Sequence, residues 1–222
     1  MVCPLRQNKF ISKRTFTYFC SPLQKSMRTR NAGKELLVKQ RAMEMLVADG
    51  FEGFSVNKLA KACDISVATL YIYYKDKDDL IIKIGMEEGE YMTSVVFRDF
   101  DPEMSFADGL RKQWENRFAW MMQKPTSSLF LESLRNSSYG ETVFKCVTDN
   151  FKEMMEKFTK NAVRRGEINK MSLEAFWATA FAPLYTLVRF HNEGRSIGGK
   201  PFTMSSKVLW ETFDIVLKGL TK

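Results

Sequence analysis

The stretch of chain from residue 54 to residue 77 constrains the fold more than any other. It holds two short helical runs, 56–62 and 67–74, each opened by a serine, Ser55 and Ser66, and separated only by Cys63-Asp64-Ile65. A serine at an N-cap can satisfy one of the free amides of the first turn. Phe54 and Ile65, just before the caps, are placed to staple onto Leu59 and Leu70. Asp64 falls where so tight a turn needs a left-handed residue, which aspartate tolerates. Two short helices joined by a three-residue turn make a helix-turn-helix. Its inner face comprises Val56, Leu59, Ala60, Cys63, Ile65 and Leu70. Its outer face comprises Asn57, Lys58, Lys61, Val67, Ala68, Thr69, Tyr71 and Tyr73.

Helices flank this unit on both sides. Residues 34–49 place Leu36, Met43, Leu46 and Val47 at helical spacing, and Gly50 suits the left-handed position that ends a helix. Phe51 follows at a position where it can touch Leu46. Asp76 caps a longer helix to about residue 98, with Asp78 and Asp79 at the positive end of its dipole. Beyond it the pattern gives helices over 105–124, 126–136, 141–165, 172–192 and 203–220. Pro183 is expected to kink the fourth of these, and the glycine-rich stretch 193–201 reads as a loop. No strand period rises above this pattern, so the fold class is all-α.

Composition excludes several functions. The 222 residues include a single histidine, His191, whose place near a helix end favours a solvated or dipole-stabilised role over catalysis. The four cysteines, Cys3, Cys20, Cys63 and Cys146, show no CxxC spacing, so the sequence points to no metal site, no disulfide framework and no cofactor, and to reduced thiols in the cytoplasm. No nucleophile–base pair or phosphate loop supports an enzyme. The longest apolar stretch, 175–188, is too short to span a bilayer.

The net charge of +8 is uneven: residues 1–30 sum to +7, 31–75 to +1 and 76–222 to zero. Residues 1–27 therefore read as a basic, disordered extension, with Met27 a candidate for the real start. The case for nucleic acid has to rest on placed groups rather than bulk charge.

The outer face supplies such groups. Small residues at the start of the second helix let its N-terminus approach base edges in the major groove. Hydroxyls and ammonium groups beside them suit phosphate oxygens. The run Ser55-Val56-Asn57-Lys58-Leu59-Ala60, then Ile65-Ser66-Val67-Ala68-Thr69-Leu70-Tyr71-Ile72-Tyr73-Tyr74, then Lys77 and Leu80, resembles the N-terminal domain of TetR-family transcriptional regulators. Asp64 stands where that family usually has glycine, Ala68 replaces a common glycine and Tyr74 a frequent phenylalanine. The resemblance implies that Asn57, Val67, Ala68 and Tyr71 face bases, and that Ser55, Thr69, Tyr73 and Lys77 meet the DNA backbone. Lys58 and Ser66 complete the candidate DNA-binding set.

The implied organisation is an extension (1–27), a three-helix helix-turn-helix DNA-binding domain (28–75) and a helical regulatory and dimerisation domain (76–222). The resemblance also implies a repressor that binds a palindromic double-stranded operator as a homodimer and answers to a small-molecule effector. Aromatic and methionine side chains crowd the C-terminal half, and for any single one burial in the core is the simplest role. Among them Trp114, Phe118, Met122, Phe151, Met155 and Tyr185 are candidates for a lipophilic effector pocket. Phe176, Trp177, Phe181, Val208, Leu209 and Phe213, on helices apolar on more than one side, are candidates for the dimer contact. The rival function is a helical lipid-binding, small-molecule-binding or scaffold protein with no role on DNA.

Overall fold

A computed structural model describes the backbone of residues 22–222 and the side chains of residues 33–145 and 151–222. Most of the expected 1–27 extension, with Cys3 and Cys20, and the Cys146 side chain lie outside the described residues. The described chain folds into α1 (Pro22–Gly53), α2 (Val56–Ala62), α3 (Val67–Tyr73), α4 (Lys77–Val96), α5 (Phe106–Gln123), α6 (Pro125–Arg135), α7 (Gly140–Arg164), α8 (Leu173–Ala180), α9 (Ala182–Glu193) and α10 (Ser206–Leu220). A single 3₁₀ turn, Ile197–Gly199, lies in the expected glycine loop. Among the described residues, extended pairing is limited to two isolated bridges, Ile168 with Thr221 and Arg195 with Pro201.

The helices form two compact units that divide between Ile84 and Gly85. The division falls inside α4 rather than at its start. Leu80, Ile81 and Ile84 are fully buried in the first unit and so extend it past residue 75.

In the first unit the buried stripe of α1 is Val38, Ala42, Met43 and Leu46. Leu36, expected on that stripe, is 68% exposed, and Val47 is half-buried. The helical period was read correctly, but the face that finds partners is turned by about half a turn at the N-terminal end. Gly50 has φ 70° and ψ 174°, a region of backbone space that is essentially glycine's alone. The chain swings there and makes one more helical turn, 51–53, past the glycine that was expected to end the helix. Cys63 is buried beside Leu59 and Ala60, and burial pushes its thiol's pKa up.

In the second unit α5 is the central helix and packs against α6, α7, α9 and α10. Its Ser105 cap accepts the Asp108 N–H at 3.1 Å. Phe158 of α7 lies on α5, its ring stacked at 5.6 Å on Phe106 and edge-on at 5.2 Å to Phe100. The two helices come this close because position 109 is glycine: a Cβ there would run into the Phe158 ring. Pro183 does more than kink a helix. α8 stops at Ala180, Phe181 takes φ −123°, and α9 starts afresh with proline in its first turn. The carbonyl of Ala180 at the break accepts from the Trp114 indole at 2.8 Å.

α7 ends with Gly166 at φ 76°, where the Glu167 N–H donates to the Ala162 carbonyl and the Gly166 N–H to that of Val163. This is the paired bonding of a Schellman ending. Glu167 then accepts from Arg165 at 2.9 Å and from the Phe106 N–H at 2.8 Å, tying the end of α7 to the start of α5. The Arg165 guanidinium foremost, and then the Phe106 N–H, hold the Glu167 carboxyl below its ordinary value of 4.5. A carboxyl depressed in the folded state stabilises the fold fully above its unfolded pKa, and this contribution disappears as pH falls through the folded value. Unfolding of the second unit between pH 5 and pH 2 is therefore expected to show a carboxylate-linked loss of stability that Glu167→Gln makes shallower. Fluorescence melts at stepped pH check this.

His191 does not sit in bulk solvent. It is half-buried, and its Nδ1 accepts the Met204 N–H at 3.3 Å, which fixes the approach to α10.

Four of the residues expected at a dimer contact are core residues of the single chain. Phe176, Phe181, Leu209 and Phe213 are all buried. α10 is apolar on several sides because it packs at once on α5, α8 and α9. Trp177 and Val208 are only half-buried. The outward side of α10 carries Val208, Thr212, Ile215 and Gly219 at helical spacing, with Ile215 68% exposed and open space beside Gly219.

Candidate nucleic-acid interface

The α2–turn–α3 unit is held by local bonds. α2 ends with the Asp64 N–H donating to the Lys61 carbonyl at 3.2 Å and the Ile65 N–H to that of Ala60 at 3.0 Å. Asp64 is left-handed at φ 51°, so aspartate fills the position that glycine usually takes in this ending. A β-branched residue cannot adopt that conformation cheaply. Asp64→Val is expected to cost about 1–2 kcal/mol, whereas Asp64→Gly should be neutral or slightly stabilising. Far-ultraviolet circular dichroism melts test both.

Ser66 caps α3 as expected: its hydroxyl accepts the Thr69 N–H at 3.1 Å and lies 2.9 Å from the Thr69 hydroxyl. Ser55 occupies the N-cap of α2, but its side chain makes no capping bond. Its hydroxyl is therefore not spent on the helix.

Beneath the surface Leu59, Ala60, Cys63, Leu70 and Tyr74 form the buried side, while Val56 and Ile65 are half-buried. Tyr74 is thus a core residue. On the opposite side Asn57, Lys58, Lys61, Ser66, Ala68 and Tyr71 are exposed, and Ser55, Val67, Thr69, Tyr73 and Lys77 are half-buried. Every DNA-contact candidate therefore retains some exposure, and the open side of α3 runs through Ala68 and Tyr71, the latter 52% exposed.

One residue of this face was missed. Ile72 is 76% exposed and lies one turn after Ala68, continuing the Ala68–Tyr71 stripe. Its i+4 spacing from Ala68 was the available signal, masked by its apolar character. Apolar contact with a thymine methyl or sugar suits such a side chain.

Lys77 has a role that no sequence pattern reveals. Its ammonium donates to the Phe51 carbonyl at 2.7 Å and lies 6.0 Å from the centroid of the Phe54 ring. It thereby clasps the turn that follows Gly50 to the start of α4, with further donors left over. Close by, Asp76 accepts the Asp79 N–H at 2.8 Å, and Asp79 accepts from Lys83 at 2.9 Å and from the Lys75 N–H at 2.8 Å. The Lys83 ammonium, then the Lys75 N–H, lower the Asp79 pKa. Both acids stabilise the N-terminus of α4, and the Lys83 ammonium offsets the charge of Asp79, which limits its repulsion of a phosphate chain.

Residues 40–84 match the family model described as bacterial regulatory proteins, tetR family. An uncharacterised helix-turn-helix transcriptional regulator of Haemophilus influenzae is 26% identical over 132 residues, covering 58% of this chain and 67% of that protein. The fold is similar to that of a TetR-family transcription regulator from Marinobacter aquaeolei, with TM-score 0.75 and 22% identity over 88% of this chain and 100% of the other. A TetR-family regulator from Haemophilus influenzae aligns with TM-score 0.68 and 19% identity over 88% and 100% of the two chains. The capped α2–α3 unit, its open outer face and these likenesses agree: residues 40–84 match the DNA-binding domain of the tetR family of bacterial regulatory proteins, and the chain as a whole shares the fold of TetR-family transcription regulators.

Proposed function

We propose that this regulator is a ligand-responsive repressor that works in the cytoplasm and binds a palindromic operator as a homodimer. The observation that carries the reading is the open stripe Ala68–Tyr71–Ile72 on a helix whose other side is locked into the core by Leu70 and Tyr74. Val67, Ala68, Asn57 and Tyr71 are assigned to bases. Ser55, Lys58, Ser66, Thr69, Tyr73 and Lys77 are assigned to phosphates. One α3 of seven residues is only about 10 Å long, so two copies about 34 Å apart are needed to read a site long enough to be specific.

For the dimer, the outward side of α10 at Val208, Thr212, Ile215 and Gly219 supports self-association, because a helix with small residues and one large aliphatic group lets a second helix approach closely. For the effector, Phe118, Met122, Phe151 and Tyr185 are half-buried and can line a pocket. Trp114 and Met155 are fully buried and would form its wall. An effector that favours one spacing of the two reading heads shifts operator affinity by its differential affinity for the two states.

Selection of bound fragments from genomic DNA, followed by anisotropy titration of the recovered sequence, tests the reading. The expected result is a two-fold symmetric site bound by two chains, with affinity falling steeply with salt. Among the described residues no helix is long and apolar enough to cross a membrane. Retention on anionic vesicles in place of duplex would overturn the reading.

A further inference from the structure

Among the described residues two buried side-chain donors lack any hydrogen-bond partner, Arg117 Nε and Trp120 Nε1. They lie three positions apart on α5. An unmet indole N–H is a modest loss, but Arg117 is a cation, 2% exposed, in the interior of the second unit.

Among the described residues everything that touches its guanidinium is neutral. Nη1 donates to the Tyr185 hydroxyl at 2.8 Å and Nη2 to the Gln113 carbonyl oxygen at 3.0 Å. The Phe181 ring centroid lies 4.3 Å away, and those of Phe151 and Trp177 each lie 5.1 Å away. Among the described residues no carboxylate pairs with it. Burial pulls its pKa down, opposed only by Tyr185. Ring faces and neutral dipoles repay part of the cost of burying a charge, but a buried ion without a counter-ion generally weakens a fold relative to an apolar side chain of similar size.

The surroundings also have a direction. Phe181 is fully buried and closes one side, whereas Phe151, Trp177 and Tyr185 are half-buried and separate the guanidinium from the outside. These three rings form a continuous wall, with Phe151 edge-on to Trp177 at 5.3 Å and Trp177 stacked with Tyr185 at 6.3 Å. Tyr185 accepts from Arg117, so its own hydroxyl proton remains free for an incoming acceptor. By contrast, the cleft of about 340 Å³ between the end of α7 and the start of α8 holds Lys160, which is exposed and already 3.2 Å from Glu156.

We propose that Arg117 anchors the carboxylate of a lipophilic monocarboxylic acid whose hydrocarbon part lies against Phe151, Trp177 and Tyr185. This identifies the effector class and rests on the reading that the second unit binds an effector. One buried positive charge matches one carboxylate. A phosphate dianion would leave a net charge in the same apolar place, and no second cation faces the rings among the described residues. The Nε–H and a free proton of an adjacent nitrogen present the forked pair of donors that a carboxylate accepts.

The test titrates the intact protein with decanoate, tetradecanoate and 4-phenylbutyrate, each beside its primary amide, and follows tryptophan fluorescence. At least one carboxylate is expected to bind ten-fold or more tightly than its amide, and Arg117→Met is expected to erase that preference while leaving operator binding intact. Free of ligand, Arg117→Met is expected to melt about 2–8 °C above the parent, because an unpaired buried charge has been replaced by an apolar chain. Arg117→Gln serves if the methionine variant does not fold. The proposal is overturned if no carboxylate binds, if amides bind equally well, or if the preference survives both substitutions. Melting below the parent would count against it, by giving Arg117 a structural role. A carboxylate that binds through Arg117 but leaves operator affinity unchanged would support the anchor and sink the ligand-responsive reading. Normal operator release by some other molecule, with no carboxylate bound, would do the reverse.

Discussion

Ala68→Glu is expected to weaken operator binding by at least about 100-fold while the protein folds as well as before. Ala68 is exposed at the second position of α3, one residue after the Val67 that Ser66 caps. A carboxylate near the positive end of a helix is favourable by about 0.3–1 kcal/mol, so the substitution should leave stability unchanged or slightly raised. The same carboxylate would meet the phosphates and base acceptors of the major groove. Like charges brought together at an interface cost several kcal/mol, and about 1.4 kcal/mol is a factor of ten in affinity. Ala68→Gln separates charge from bulk: it should lose far less, and only the glutamate's deficit should shrink as salt is raised. Anisotropy titrations on the recovered operator at two salt concentrations, beside melts of both variants, decide the matter. If glutamate and glutamine bind alike, the N-terminus of α3 does not face the duplex.

The largest loss of stability is expected from Phe158→Ala. Phe158 is fully buried, contacts the Phe100 and Phe106 rings and fills the space over Gly109. Removing a buried phenylalanine ring costs about 3–5 kcal/mol, the transfer loss plus the cavity left behind. Gly109→Ala attacks the same contact from the other side by overpacking, at about 1–3 kcal/mol. The two should not add. With Phe158→Leu the space that a Cβ at position 109 needs is partly vacated, so Gly109→Ala should cost less on that background than on the parent. All four tryptophans, Trp114, Trp120, Trp177 and Trp210, lie in the second unit. Fluorescence-detected denaturant unfolding therefore reports on this unit directly. Strict additivity in the double-mutant cycle would mean that Gly109 and Phe158 do not share the contact.

The helix-turn-helix was legible because its signals act within a few residues of themselves. Ser66, Ser105, Ser172 and Ser205 each accept an amide three positions on. Asp64 and Gly166 are left-handed where the turns require it, and Pro183 sits in the first turn of α9, where its missing N–H costs nothing, so the helix before it has already stopped. Pattern reading therefore placed Asn57, Lys58, Lys61, Ala68 and Tyr71 on the exposed side of α2 and α3 but passed over Ile72. It failed where an apolar residue has several possible neighbours. Phe176, Phe181, Leu209 and Phe213 are apolar whether they meet a second chain or the same one, and Leu36 and Val38 fit a helical period equally well.

By itself, then, the sequence determined an all-helical chain, the capped reading unit and its exposed residues, since caps, turns and left-handed positions are set by local backbone chemistry. Burial and pairing were decided only by the tertiary structure, since they depend on what remote segments bring alongside. Lys77 reaches a carbonyl 26 residues earlier in the chain. The central helix of the second unit encloses Arg117, which in the sequence is one arginine among many, within neutral rings from α7, α8 and the start of α9, where no local pattern marks a charge as unpaired.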